Sequence, residues 1–369
     1  MVAVFKECRR TGGLMLWLLI CNVAFLAPAQ SADPEALGRG INITAWFRFP
    51  ASRDPAVLAA YLSDQALADL RSAGFDFIRL AFDPDVTAGP AAEAEMITAI
   101  RRIHRQGMKV IVSPHPVQWR LEEQPHRLRA LWRHLAPLLR PLDPTRTLPE
   151  VVNEPVYPND AAGWAALQHA VLVDIRAALP DVTVVLTGND WGSADALQRL
   201  PPEPDPNVIY SFHFYEPPDL TALAAYRSDL DRAALARLPF PANDRAACLA
   251  IGQTTDHAAT REVIRYDCSL GWNEATLRRP IGEVAAWARA HGVRLLAGEF
   301  GASAALNPAA RMAWLRTART AFEAEGIAWA VWGYDDIMGL AVPRPPPLRP
   351  ELDPAVLAAL GLRARDGIR

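Results

Sequence analysis

Two glutamates in this 369-residue chain stand where a pair of carboxyl groups can work together. Glu154 closes Val-Val-Asn-Glu, and Glu299 sits in Leu-Leu-Ala-Gly-Glu-Phe-Gly, each directly after a short apolar run. Runs of that length read as buried strands, so each carboxylate is expected at a strand's C-terminal end. Cleaving a glycosidic bond with retained configuration needs two such groups. One protonates the leaving oxygen and the other attacks the anomeric carbon, with the carboxyl groups about 5–5.5 Å apart. The alternative is a pair of unrelated salt-bridge glutamates, and either motif alone is a weak signal.

Other residues join them. Arg79, in Phe-Ile-Arg-Leu, is a cation inside an apolar run. It is expected to keep Glu299 ionised, while Glu154 holds its proton, because a nearby cation lowers a carboxyl pKa. Its structural alternative is an ion pair within the sheet. His115 and His213 each end a run, and Tyr215 follows His213 by two residues, placed to turn its hydroxyl toward the nucleophile. Asn153, beside Glu154, suits a sugar hydroxyl next to the cleaved bond. Trp332 ends another run, where an indole face can stack on a pyranose. Trp191 and Trp46 are softer candidates for further sugar-binding surface, with core packing the competing role.

These residues need a scaffold that brings strand ends together. Eight β-rich runs recur: Ile41–Trp46, Phe75–Phe82, Lys109–Pro114, Pro149–Asn153, Val182–Thr187, Val208–His213, Arg294–Glu299 and Ile327–Trp332. Amphipathic stretches lie between them, such as Trp164, Leu167, Val171 and Ile175 on one helical face. Continuous apolar strands alternating with helices indicate a parallel sheet covered on both faces. No Gly-rich phosphate fingerprint follows the first run, and the polar and aromatic candidates all fall at strand C-termini. Both points favour an α/β fold of the (β/α)8 TIM-barrel type over an open sheet. The connection Glu216–Arg279 is irregular, with helical pieces within Leu220–Leu235, and is expected to cross the active-site face. A Pro-rich loop, Pro343–Pro350, precedes a terminal helix near Pro354–Leu362.

Half the chain is apolar and the formal net charge is -3, without the clustered basic face that nucleic acid calls for. Lys6, Arg9 and Arg10 precede the apolar run Leu14–Leu26 and the small residues Ala27-Pro28-Ala29. That pattern predicts a signal peptide over residues 1–29, because the run is too short for an ordinary membrane span. Residues 30–369 then form a single catalytic domain, secreted or periplasmic, monomeric and without stable membrane association. Cys8 and Cys21 leave with the leader, Cys21 being a weak lipoprotein candidate. Cys248 and Cys268 remain as a candidate disulfide in an oxidising compartment, or as two free thiols.

Strand by strand, the chain resembles glycoside hydrolase family 5, the cellulase-like retaining hydrolases. The matching signatures are Ile-Arg-Leu at Arg79, His115 after strand three, Asn-Glu-Pro at Asn153 and Glu154, His-Phe-Tyr at His213 and Tyr215, Gly-Glu-Phe-Gly at Glu299, and Trp332. They span about residues 38–362. The resemblance implies a (β/α)8 barrel hydrolysing a β-linked polysaccharide, with Glu154 as acid/base, Glu299 as nucleophile, and neither metal nor organic cofactor. An endo-β-1,4-glucanase is the leading expectation, followed by a β-mannanase or β-1,3-glucanase. A metal-dependent barrel hydrolase would want His-x-His on strand one, which reads Ile-Asn-Ile-Thr-Ala-Trp. A non-catalytic carbohydrate-binding barrel would be marked by loss of one carboxylate, and both are present.

Overall fold

The computed structural model describes residues 37–158, 160–342 and 350–363. The expected leader, with Cys8 and Cys21, and most of the Pro343–Pro350 loop lie outside the described residues. Eight strands build the sheet: β1 (Arg39–Phe47), β2 (Phe77–Phe82), β3 (Lys109–Pro114), β4 (Thr147–Pro149), β5 (Val184–Thr187), β6 (Val208–Phe214), β7 (Arg294–Phe300) and β8 (Ala328–Val331). Their order is β4-β3-β2-β1-β8-β7-β6-β5 with parallel neighbours. The outer two meet at a parallel bridge between Glu150 and Val185, which brings the sheet round into the expected barrel.

A barrel helix follows each strand, with shorter helices in some connections: α1 (Asp64–Ala73), α2 (Pro90–Arg105), α3 (Pro125–Leu139), α4 (Ala161–Ala178), α5 (Ala194–Gln198), α6 (Glu274–His291), α7 (Pro308–Ala324) and α8 (Pro354–Ala359). Local chemistry sets their ends. Ser63 caps α1 through the amide of Ala66, and Gly74 closes it at a φ of 110°, a conformation glycine adopts without steric cost. Asn273 and Thr276 form a capping box at the start of α6.

The strand period of two organises the interior. Phe77, Ile111, Leu148, Val185, Ile209, Leu296 and Ala330, one from each of seven strands, plug the barrel as a separate apolar cluster. Two residues further along the same strands come Arg79, Ser113, Glu150, Thr187, Ser211, Gly298 and Trp332. The apolar plug is thus overlaid by a mostly polar layer, and that layer is the floor of the site. The alternate residues, such as Ile78, Leu80, Val110 and Val112, pack outward in the larger core shared with the helices.

Most strand ends shift by one or two residues from the sequence expectation, and two boundaries differ more. β4 is Thr147–Pro149, not Pro149–Asn153. Beyond it the chain keeps scattered contacts, Glu150 amide to Val112 carbonyl, Val151 amide to Val185 carbonyl and Asn153 amide to Pro114 carbonyl, and Glu154 turns into the left-handed region at a φ of 43°. The excursion after β6 ends where α6 begins at Glu274, so its expected end at Arg279 falls inside a barrel helix. Within the excursion, Leu220–Leu235 holds only two four-residue helices. Helices Arg245–Ala250 and Ala258–Leu270 are joined by a Cys248–Cys268 disulfide, with Cα atoms 5.7 Å apart.

Candidate active site

Arg79 is the hub of the polar layer and has no exposed surface. Its Nε and Nη2 donate to Glu150 at 2.7 and 2.8 Å, a two-point contact. Nη1 donates to Glu299 Oε1 at 2.6 Å and to Asn42 Oδ1 at 2.9 Å, and Nη2 to Asn153 Oδ1 at 2.8 Å. The guanidinium therefore both ties β2 to β4 and holds Glu299. Burying a charge this deeply requires such pairing, since desolvation is otherwise prohibitive.

Glu299 reaches the interior because β7 is irregular. Gly298 faces inward, so strict alternation would send Glu299 out toward the helices. A register shift pairs Phe212 with Ala297 but His213 with Glu299, and a second shift occurs against β8. Such bulges re-aim a side chain. Gly298 packs tightly there: a Cβ at this position would stand 2.3 Å from Ser211 Oγ, so the serine would have to turn away. Tyr215 then donates its hydroxyl to Glu299 Oε2 at 3.0 Å. Burial and the Glu299 charge push the Tyr215 pKa up, so the phenol stays a donor.

Glu154 stands opposite on its strained turn, a conformation that costs about 1–3 kcal/mol and persists where surroundings impose it. Its Oε1 lies 2.9 Å from His213 Nδ1, which is also 3.5 Å from Glu299 Oε2. One oxygen from each carboxylate and one His213 nitrogen all fall within 4.8 Å of one another.

Burial opposes ionisation of both carboxyls. At Glu299 it outweighs the charges of His213 and Arg79, and the Glu154 charge adds to it, so the pKa is raised. At Glu154 the hydrogen bond and charge of His213, with Arg79 and Arg48, outweigh burial, so the pKa is lowered. This reverses the expected order, in which Arg79 keeps Glu299 ionised and Glu154 holds the proton. Burial is the larger cause at Glu299, which is almost closed off from solvent, whereas Glu154 keeps some exposure and takes the hydrogen bond of His213. The His213 pKa is itself raised, because the two carboxylates overcome its burial. The proton thus rests on the imidazole, one hydrogen bond from Glu154.

His115 is buried, with neither ring nitrogen bonded to protein. Burial and the Arg79 charge keep it neutral, and its ring stacks on Trp332 at 6.1 Å between centroids. Trp332 is half-buried at the end of β8. The eight residues singled out from the sequence, Arg79, His115, Asn153, Glu154, His213, Tyr215, Glu299 and Trp332, thus line one mouth. Trp46 does not join them. It is buried against the helices, with its indole N–H donated to Leu58 carbonyl at 2.7 Å, so the sugar-platform expectation is corrected to core packing. Trp191 is exposed and joined to the Glu154 turn through its amide on Pro155 carbonyl.

Three residues escaped sequence reasoning. Asn42 accepts from Arg79 and donates to the Gly298 carbonyl, fixing the bulge. Glu150 neutralises Arg79, and Arg48 stands over Trp332. The available signal was a polar residue within or just after an apolar strand.

Comparison with known proteins bears on this arrangement. Residues 42–336 match the cellulase family, glycosyl hydrolase family 5. The chain is 23% identical over 316 residues to Endoglucanase C of Acetivibrio thermocellus, covering 80% of this chain and 90% of that one. Among solved structures, endoglucanase Cel5A of Thermotoga maritima superposes with a TM-score of 0.70 at 21% identity, covering 88% of this chain and 97% of that one. The same Cel5A, solved with mannotriose, gives a TM-score of 0.69 at 20% identity, over 88% and 98% of the two chains. The cellulose synthase subunit Z of Clostridioides difficile matches with a TM-score of 0.69 at 19% identity, over 88% and 99%. With two carboxylates converging at the mouth of a (β/α)8 barrel and a family match over most of its length, the chain belongs to glycosyl hydrolase family 5 and is a glycoside hydrolase acting on a β-glycan.

Proposed function

We propose that this chain is an exported, endo-acting β-1,4-glucanase that retains anomeric configuration, with Glu154 as acid/base and Glu299 as nucleophile. The observation that carries the reading is the carboxylate separation. Oxygens of Glu154 and Glu299 within 4.8 Å fit the about 5–5.5 Å carboxyl spacing of a nucleophile better than the about 6.5–9.5 Å of an inverting enzyme.

In the first step Glu299 attacks the anomeric carbon as the proton held on His213 passes through Glu154 to the leaving oxygen. The leaving sugar departs and a glycosyl ester remains on Glu299. In the second step Glu154 removes a proton from water and returns it to His213, as that water attacks the same carbon and releases Glu299. Arg79 and Tyr215, both bonded to Glu299, orient it for attack and stabilise it again as it leaves. Asn153, held by Arg79, is oriented for a hydroxyl of the sugar being cleaved. No step requires a bound metal or cofactor.

The endoglucanase names of several relatives support β-1,4-glucan as substrate. The mannotriose complex of one neighbour favours a mannanase as the second reading. Export rests on the leader pattern at residues 1–29 and accords with the disulfide, which oxidising compartments favour. The mature chain then begins near Gln30 as one monomeric catalytic domain, free of the membrane. Among the described residues no helix is long and apolar enough to cross one. A reducing-sugar assay over soluble β-glucans, mannan and xylan, with product lengths resolved, tests the substrate. Mixed oligosaccharides from β-1,4-glucan are expected. Turnover of mannan alone, or single units released from chain ends, would overturn the glucanase reading.

A further inference from the structure

His213 meets Glu154 through Nδ1, and in the reaction described above it gives up a proton and takes one back at every turnover. Its other ring nitrogen has no such role. Nε2 is buried and has no hydrogen-bond partner among the described residues. An enclosed N–H left unpaired is costly, and more so on a charged ring. Two hydroxyls of the polar floor are in the same position. Ser211 Oγ and Thr187 Oγ1 are enclosed, and neither has a partner among the described residues.

The fold draws the three atoms together. Ser211 stands two residues before His213 on β6, so both side chains face the barrel interior. Thr187, on β5, is the register partner of Ser211. Gly298 on β7 closes one side: a Cβ there would lie 2.3 Å from Ser211 Oγ and 3.6 Å from His213 Nε2. Gly192 closes another, where a Cβ would lie 3.2 Å from Thr187 Oγ1 and 3.5 Å from His213 Cγ. Both hydroxyls thus border the ring without bonding it. A water enclosed in protein needs about two to four polar partners, and Nε2 with the two hydroxyls supplies three.

The charged and titratable groups that face the ring are Glu154 after β4, Glu299 on β7, Arg79 on β2 and His115 after β3. Both carboxylates approach through Nδ1, which leaves Nε2 to neutral partners. On the charged ring Nε2 is a donor. On the neutral ring it donates or accepts, according to which nitrogen keeps the proton. Hydroxyls and water turn to do either, so they serve both states, and they bond the charged one more strongly.

Building on the assignment of Glu154 as acid/base, we infer that Ser211 and Thr187 are positioning residues. Together they hold one buried water against His213 Nε2, and that water sustains the protonated ring from which Glu154 draws its proton.

The test uses the purified enzyme with isotope-labelled histidine and its Ser211→Ala, Thr187→Val and Thr187→Ser variants, with His213→Ala to identify the His213 signals. The titration of His213 is followed by NMR, beside kcat/KM against pH on whichever β-glycan the wild type cleaves. Ser211→Ala is expected to lower the His213 pKa by about one unit, the size of a lost hydrogen bond to a charged group. The alkaline limb of kcat/KM should move to lower pH with it. Thr187→Val should act in the same direction, and Thr187→Ser, which keeps the hydroxyl, should restore most of the shift. Thermal melting identifies a variant that has failed to fold, and if Ser211→Ala is one, the two Thr187 variants carry the comparison. An unmoved His213 titration in the variants lacking a hydroxyl would overturn the inference, as would equal shifts in Thr187→Val and Thr187→Ser. A wild-type alkaline limb that does not follow the His213 titration would count against Glu154 as the acid fed by this ring. The NMR shifts would still decide whether the hydroxyls sustain its charge.

Discussion

His213 Nδ1 lies 2.9 Å from Glu154 and 3.5 Å from Glu299, so one imidazole couples the two carboxyl groups that flank the substrate. The three titrate as a unit, and activity requires Glu299 ionised with a proton still held on the Glu154–His213 pair. Glu299 is raised by burial, so the acid limb of the pH profile should sit above the ordinary carboxyl range. His213 is raised above 6.5, so the alkaline limb should lie beyond that value. His213→Ala removes a cation that favours ionised Glu299, and the acid limb of kcat/KM should move to higher pH. An unmoved limb would show that His213 does not couple the pair.

Glu150→Gln tests the neutralisation of Arg79 from the other side. With Glu150 uncharged, more of the Arg79 charge bears on Glu299, and the acid limb should shift to lower pH. Stability should fall by up to about 3 kcal/mol, because a fully buried ion pair loses one partner. A loss of turnover as complete as that of a Glu299 variant would instead make Glu150 part of the chemistry.

Much of this site was legible because barrel geometry turns sequence order into spatial order. Arg79, Glu150 and Trp332 each lie two residues beyond an apolar plug residue, the spacing at which strand side chains share a face. What the spacing hides is irregularity. Glu299 is out of phase with Leu296 and becomes inward only through the bulge at Gly298, whose carbonyl is held by Asn42 from a different strand. Glu150 was hidden because its partner is a strand away and 71 residues earlier. The carboxyl order differs from the expectation because the depth of Glu299, which only the folded barrel sets, outweighs the charge of Arg79. Trp46 shows the converse. Its aromatic type suited a sugar platform, but its position on β1 faces the helices.

The two tryptophans should separate cleanly. Trp332→Ala is expected to raise KM about tenfold, equivalent to about 1.4 kcal/mol, and to lower kcat if stacking also orients the sugar. Trp46→Ala should instead lower the melting temperature, by a core deletion worth about 3–5 kcal/mol, with KM nearly unchanged in the folded fraction. Unaltered kinetics for a stable Trp332→Ala on every substrate would return that residue to packing.

Asp267, beside the disulfide, offers a stability test. It is buried with Oδ1 unpartnered, and burial together with the Asp219 charge pushes its pKa up from 3.8 to about 7. The folded state thus favours the neutral carboxyl. Its cost is absent below the unfolded value, grows as pH rises, and is full above about 7, where it amounts to up to about 4 kcal/mol. Asp267→Asn should therefore stabilise the protein at pH 8 and have little effect at pH 4, as followed by denaturant unfolding. Equal effects at both pH values would mean that the carboxyl is not held neutral.

The assignment of roles to Glu154 and Glu299 is tested most directly by pairing each alanine variant with two kinds of leaving group. Glu299→Ala should lose glycosyl transfer on polysaccharide and on a dinitrophenyl glycoside alike, since no other group attacks carbon. Glu154→Ala should retain the first step on the dinitrophenyl glycoside, whose leaving group hardly needs a proton, and then stall at the glycosyl ester. Added azide should release it as the β-glycosyl azide. Measured with and without azide, rescue of Glu154→Ala to the β product is the predicted result. Equal losses of Glu154→Ala on both leaving groups, or rescue of Glu299→Ala to the β product, would contradict it.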